Sequence, residues 1–450
     1  MSRGKINFLF ILSFILLGLF LFSNNTCADG MAHAPISKMG GEWKLLNENG
    51  QMCFINHQAG TEKMIVAIGL ENIQGEKASW IFPVPSQPKK TEIEISEGFP
   101  MLDGQNLKET YGNYVQDFTI GAIGISQLYA LPLMALNDLK GGRALEGRSW
   151  EGGGVEIHEH IERAGLTTEL ITARESSALY NYFEKKNISL PADSERILEE
   201  YIGKDYSFVA SWVSDFEKFR SQSKERHHYI IENPLGVEIS FPTEKLYYPL
   251  KPTSVYGSNE IPIKIYTRGW LKPDLYSEIT DETEVSYYSQ NYYKVPKELR
   301  SFFNGKDHLE DLKYTKIEIN SEARKLKKDL WIKKETADKP LILNSLINYF
   351  WVLGLIIFVI SSCLASLFAG KVISREKKIS NRGFTLFGLT NFLSLVGLVL
   401  IFHFGKIDKR LTESERKIDT LGFIFTFSVL FVIFMFLFSF IIYIVPVILI

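Results

Sequence analysis

The chain has 450 residues, a formal net charge of −2 and 46% hydrophobic residues. With ten basic and five acidic residues lying after Tyr349, the part expected outside the cytosol is acidic, which argues against nucleic acid as its main partner. Three cysteines are too few for a disulfide-built scaffold.

The first segment, MSRGKINFLFILSFILLGLFLFSNNTCADG, places Arg3 and Lys5 before an apolar run from Phe8 to Phe22. Thr26 and Ala28 come next at the spacing of a signal-peptidase site. Residues 1–28 are therefore expected to act as a signal peptide or signal anchor and to carry the adjoining domain out of the cytosol. Cys27 lacks the approach sequence of a lipidated cysteine, and Cys53 has a partner in Cys27 only where this segment is retained.

Residues 43–96 predict strands. QMCFINHQAG and TEKMIVAIGLENIQGE have extended, β-branched character, and KTEIEIS alternates with Ile93 and Ile95 on one face. Between them lies SWIFPVPSQPKK. Its prolines fix φ and remove amide donors, so the ladder is expected to end at Pro83 once Trp80 and Phe82 have packed into the core. The spacing of Pro85 and Pro88 matches a polyproline ligand, but a segment joining two short strands reads as architecture.

Residues 97–154 look like an insert. TIGAIGISQLYALPLMAL (119–136) is apolar but interrupted by Gln127 and Pro132. A span here would invert the topology implied by the C-terminal segments, so a buried or membrane-facing amphipathic piece is expected. KGGRALEGRSWEGGG then reads as a loop.

GVEIHEHIE alternates like a strand, with His158, His160 and flanking glutamates on one face. It is the best metal candidate in the chain. Two imidazoles on one strand face can reach a single Zn²⁺ or Cu²⁺, but further ligands would have to come from elsewhere, with His57, His227 and His228 as the donors to consider. The competing reading is a solvated strand face, and the sequence implies no cofactor. LTTELIT continues as a strand. Thr172 and Glu175 have capping-box spacing before a helix with Leu179, Tyr182 and Phe183 on one side. DSERILEEYIGK supplies a second helix, and YSFVASWV returns as a strand. This β–α–α–β unit excludes an all-β domain.

From 234 to 266, PLGVEISFP, LYYPLKPTSV and EIPIKIYT predict strands, short or at an edge because prolines stop them. The stretch after 267 is tyrosine-rich and charged. KVPKELRSFFNG and INSEARKLKKDLW read as helical, which makes 268–342 a membrane-proximal cap or stalk. The fold class is thus α+β: an exported β-rich domain over 29–267 with a short helical pair, followed by three transmembrane helices.

Those helices are expected at 343–369, 384–404 and 421–445. Loop 371–383 carries Lys371, Arg375, Lys377, Lys378 and Arg382 against Glu376 alone, while 405–420 nearly balances its charges. The positive-inside bias places the first loop in the cytoplasm and the second outside. The expected location is the cell membrane, multi-pass, with the large N-terminal domain extracytoplasmic. The expected partners are the lipid bilayer through the three helices and other envelope or membrane proteins, with no nucleic acid.

In order and spacing, WIFPVPSQP, the block TTELITARESSALYNYFEKKNISLPADSERILEEYIGKDYSFVASWV, and PLGVEISFPTEKLYYPLKPTSV resemble the bacterial and archaeal family catalogued as domain of unknown function 2330. The resemblance covers roughly residues 28–267. It implies an exported, often membrane-anchored domain and transfers no activity or catalytic residues. The chain has no GxSxG, HExxH, CxxC or P-loop motif. Three readings therefore compete. A non-enzymatic domain for binding, assembly or envelope maintenance leads, ahead of an extracytoplasmic metal-dependent enzyme using the HxH strand and an accessory subunit of a transport complex.

Overall fold

The computed structural model describes residues 31–35, 43–45, 48–70, 78–96, 98–126, 161–163, 165–186, 188, 190–215, 217–219, 234–373 and 413–448. Among these residues the strands form three sheets. In the first, the order is β2 (Trp43–Leu45), β1 (Met31–Pro35), β5 (Ser79–Val84), β10 (Ser207–Val213), β9 (Leu166–Ile171) and β8 (Ile161–Arg163). The second runs β6 (Glu92–Ile95), β11 (Pro234–Pro242), β4 (Thr61–Leu70), β3 (Glu48–Gln58), β13 (Glu260–Arg268), β16 (His308–Glu322), β15 (Thr283–Lys294) and β7 (Gln105–Asn106). A small third sheet runs β12 (Leu246–Tyr248), β17 (Leu330–Thr336) and β14 (Leu271–Pro273). Within the second sheet β13 lies parallel to β3 and antiparallel to β16.

Strand alternation divides the cores, because successive side chains leave a strand on opposite faces. Trp80, Phe82 and Val209 of the first sheet, Val66, Val237, Ile265 and Ile317 of the second, and Tyr247, Leu330 and Ile332 of the third share one core. On the outer face of the first sheet, Ile81 and Phe208 meet Leu179 and Phe183 of α2 (Ser176–Lys185) and Leu198 of α3 (Ala192–Glu199). The chain passes from β9 through these two helices to β10, the order the β–α–α–β reading expected, and β9 and β10 pair antiparallel. Thr172 and Glu175 form no capping box: Glu175 is itself the N-cap and makes no side-chain cap bond.

Two proline expectations are corrected. Pro83 does not end its ladder, since β5 pairs with β10 through Phe208↔Pro83 to Ser207↔Val84. Among the described residues its pairing with β1 stops at Ile81, so beyond that point the strand has a described partner on one side only, where a missing N–H is tolerated. Pro262 likewise lies in β13, an interior strand, one residue before the pairing with β3 begins at Ile263. Pro88 opens a single 3-10 turn, so the PxxP spacing is not a polyproline helix.

The segment 268–342 is not a separate stalk. β15 and β16 pair over most of their length, and β16 joins β13, which extends the main sheet. The helix expected in INSEARKLKKDLW is instead the end of β16, one 3-10 turn at Ala323–Lys325, and the start of β17. Ile317 and Ile319, two residues apart, both enter the core between the sheets, and that spacing of two takes the strand solution. KVPKELRSFFNG likewise contains only a 3-10 turn, Lys297–Leu299. The chain then sets Phe302 and Phe303 edge-to-face against Phe54, ring centroids 5.6 and 5.8 Å away, and closes the outer face of the second sheet.

Helix α1 (Leu107–Ser126) leaves the sheet edge at β7, while α4 (Ser277–Thr280) is a single turn. After β17 come α5 (Asp338–Asn348), α6 (Phe350–Ile373) and α7 (Glu413–Ile448). Phe350–Val372 and Phe423–Pro446, of 23 and 24 residues, are long and apolar enough to cross a membrane. The third expected span, 384–404, lies outside the described residues.

Candidate functional site

Titratable groups converge where the three sheets meet, and the small third sheet positions them. Tyr247, in the middle of β12, is the link. Its amide donates to Glu62 Oε2 at 2.8 Å, and its ring packs on Trp331 at 5.0 Å. Tyr206 stands between the rings of Tyr201 and Tyr247, with centroids 5.1 and 6.3 Å away.

Asp329, immediately before β17, is the acid of this cluster. The Tyr201 hydroxyl donates to both of its oxygens at 3.0 Å, and the Lys251 amide donates to Oδ1 at 3.1 Å. The Tyr247 hydroxyl lies within its electrostatic reach but without hydrogen-bond geometry. Burial pushes the Asp329 carboxyl up to about 6, outweighing the donors that favour its charged form. Glu62 is fully buried and held well above the usual carboxylate range by burial, against the pull of the Tyr247 amide. Its Oε1 has no hydrogen-bond partner among the described residues, which suits a protonated, neutral acid.

A second pair joins β1 to the first turn of α3. His33 Nε2 and Ser194 Oγ are 2.9 Å apart, and both residues have no exposed surface. Burial lowers the His33 pKa to about 3, and its Nδ1 has no partner among the described residues. A nucleophilic serine needs a base near neutrality, an acid to orient that base and a route for substrate. This pair has a weakened base, no acid on Nδ1 and full burial, so its work is to pin the strand beneath the helix.

The sequence-predicted ligands divide. His158, His160, His227 and His228 lie outside the described residues. His57 is placed on β3, with Nε2 2.9 Å from the Thr243 carbonyl, a bond between strand and turn. Among the described residues no group of three or more His, Cys, Asp or Glu side chains could hold a metal ion. Asp329, Glu62, His33 and Ser194 were missed because nothing local marks them. Each is an ordinary polar residue whose partner lies far along the chain, as the separation of His33 from Ser194 illustrates.

The other concentration of specific contacts is the seam between the β-rich domain and the apolar helices. The Tyr111 hydroxyl donates to the Ile442 carbonyl at 2.9 Å. Thr119 Oγ1 donates to the Val115 carbonyl at 2.6 Å, so the Ser439 hydroxyl, also 2.6 Å away, is the donor to Thr119. Phe350 receives the rings of Tyr111, Tyr114 and Phe118 at 5.6–6.1 Å.

Comparison with family models, with curated proteins and with solved structures returned no match. The functional reading of this chain rests on its own sequence and geometry. That geometry contains structural acids and a seam docked on apolar helices, and it gathers no reacting constellation among the described residues.

Proposed function

We propose that the chain is a multi-pass membrane protein whose β-rich domain, held outside the cytoplasm, serves binding and assembly in the cell envelope. The observation that carries this reading is the seam. α1 is packed against α6 and α7 through hydrogen bonds, one of them fully buried, and aromatic contacts, so the domain is docked on the apolar helices and not merely tethered to them. Three features support it further: the basic 371–383 loop against the balanced 405–420 loop, the third apolar stretch at 384–404, and the use of Asp329, Glu62 and His33 in internal contacts. The resemblance to domain of unknown function 2330 points the same way.

The test has two arms in native membranes. A cytoplasmic reporter fused after Gly383 is active and one fused after Asp419 reports the outside; the reverse pattern overturns the orientation. Photo-crosslinkers at the exposed Met101 and Tyr292 give discrete adducts with another envelope protein. Purified full-length protein that instead turns over a substrate and loses that activity with His158→Ala and His160→Ala overturns the binding role.

A further inference from the structure

We propose that helix α1 enters the outer leaflet of the bilayer beside α6 and α7, with the exposed face of its C-terminal half contacting lipid acyl chains. The inference builds on the membrane reading above and adds an element that reading does not contain.

An aromatic band marks the depth. Tyr349 and Trp351 are 71% and 77% exposed at the start of α6, and aromatic side chains of this kind gather at the membrane–water boundary. Tyr114 belongs to the same level, because its ring lies 5.6 Å from that of Phe350. Tyr443 of α7 does too, since its ring abuts Gly112 of α1.

Below this band α1 is part of the apolar bundle. Phe118 fits against Gly354, where an added Cβ would come within 2.8 Å of the ring. Thr119 and Ser439 share a buried hydrogen bond, the arrangement that satisfies hydroxyls where water is absent. One turn further, Ala122 lies in a cluster with Phe358, Phe431 and Met435.

The exposed stripe of α1 changes character at the band. Above and just at it stand Glu109, Asn113, Gln116 and Asp117; below it stand Ile120, 60% exposed, then Gly121 and Gly124. At ~1.5 Å per residue, Ile120 and Gly124 lie about 9 and 15 Å beyond Tyr114. That depth is about half of a hydrocarbon core ~30 Å thick. The exposed face continues the lipid-facing apolar surface of α6 and α7, where Leu355, Phe436 and Phe440 are likewise uncovered.

A full crossing is not implied. The chain is back in the first sheet at Ile161, where β8 pairs with β9. In the sequence between Ser126 and Ile161, Asp138, Lys140, Arg143, Glu146, Arg148 and Glu151 leave no second apolar run of about 20 residues to carry it back across.

The experiment uses the full chain, with Cys27, Cys53 and Cys363 replaced by alanine, in phosphatidylcholine–phosphatidylglycerol liposomes, with an environment-sensitive fluorophore on single cysteines replacing Glu109, Asn113, Ile120 or Gly124. Spin-labelled acyl chains are expected to quench Ile120→Cys and Gly124→Cys at least twofold more than Glu109→Cys, with aqueous iodide showing the opposite order. Equal iodide quenching at all four sites overturns the proposal. The unmodified protein provides a second readout that no substitution can confound. A photoreactive lipid followed by trypsin should label the peptide that begins at Glu109. Label confined to α6 and α7 overturns the inference while leaving the membrane reading intact, and label on none of the three overturns both.

Discussion

Phe118 of α1 occupies the notch that Gly354 leaves in α6: a Cβ on that glycine would stand 2.8 Å from Cε2 of the ring. The contact couples a helix that grows from the edge of the main sheet to a helix that continues from α5. Gly354→Val is therefore expected to push the two apart, at the cost of about 1–3 kcal/mol typical of overpacking. Phe118→Ala in the same background should recover part of the loss by vacating the space. Thermal unfolding of the full chain in detergent checks this, and equal melting temperatures for Gly354→Val and wild type would refute the fit.

Trp80 and Pro88 separate core from connection within one short stretch. Trp80 is 1% exposed and packs on Phe82 with ring centroids 4.5 Å apart. Trp80→Ala should cost about 3–5 kcal/mol. Pro88→Ala, in a half-buried turn outside the ladder, should stay within about 0.5 kcal/mol. Denaturant unfolding of both variants gives the comparison.

Asp329 makes stability depend on pH in a defined direction. Its folded-state pKa of about 6 lies above the ordinary 3.8, so the folded protein holds this proton more tightly than the unfolded chain. The resulting stabilisation is complete below about pH 4 and fades as pH rises through about 6. Asp329→Asn keeps an acceptor for Tyr201 and Lys251 without the ionisation. The variant should therefore gain on wild type by roughly 2–3 kcal/mol between pH 4 and pH 7, at ~1.4 kcal/mol per pKa unit. Parallel denaturation curves at four pH values would show it, and a constant difference would exclude the assignment.

His33 works in the opposite sense. Its pKa is lowered to about 3, so the unfolded chain takes up a proton near pH 6.5 that the folded protein refuses. Stability from this residue is present above about pH 6.5 and declines as pH falls toward 3. His33→Gln should flatten that acid-side loss. Ser194→Ala should lower stability at every pH by about 1 kcal/mol, the net worth of one buried hydrogen bond. Unfolding of both variants at pH 4 and pH 7 distinguishes the two effects.

Much of the sheet was legible because its signals are local. The alternation of KTEIEIS, the β-branched TEKMIVAIGL and the β–α–α–β block all depend on neighbours two to four residues away. Lys264 opposite Glu318, or Tyr201 against Asp329, depends on pairings that only the closed fold creates. The same limit explains the misread 319–331 segment. Its charged residues suit a helix surface, but Ile317 and Ile319 are claimed by the core between sheets. Prolines misled in a related way. Among the described residues Pro83 pairs on the β10 side, a position that no local pattern in the sequence announces.

The junction between α5 and α6 has a mechanical consequence. Only Tyr349 separates Asn348 from Phe350, and α1 braces α5 and α6 from the side. In the proposed membrane arrangement such a mount fixes the height and azimuth of the β-rich domain above the lipid. A partner in the same membrane then meets one constant face as it diffuses laterally, and little rotational freedom is left to lose on contact. A flexible stalk would offer every face at a range of heights. This chain presents a single one.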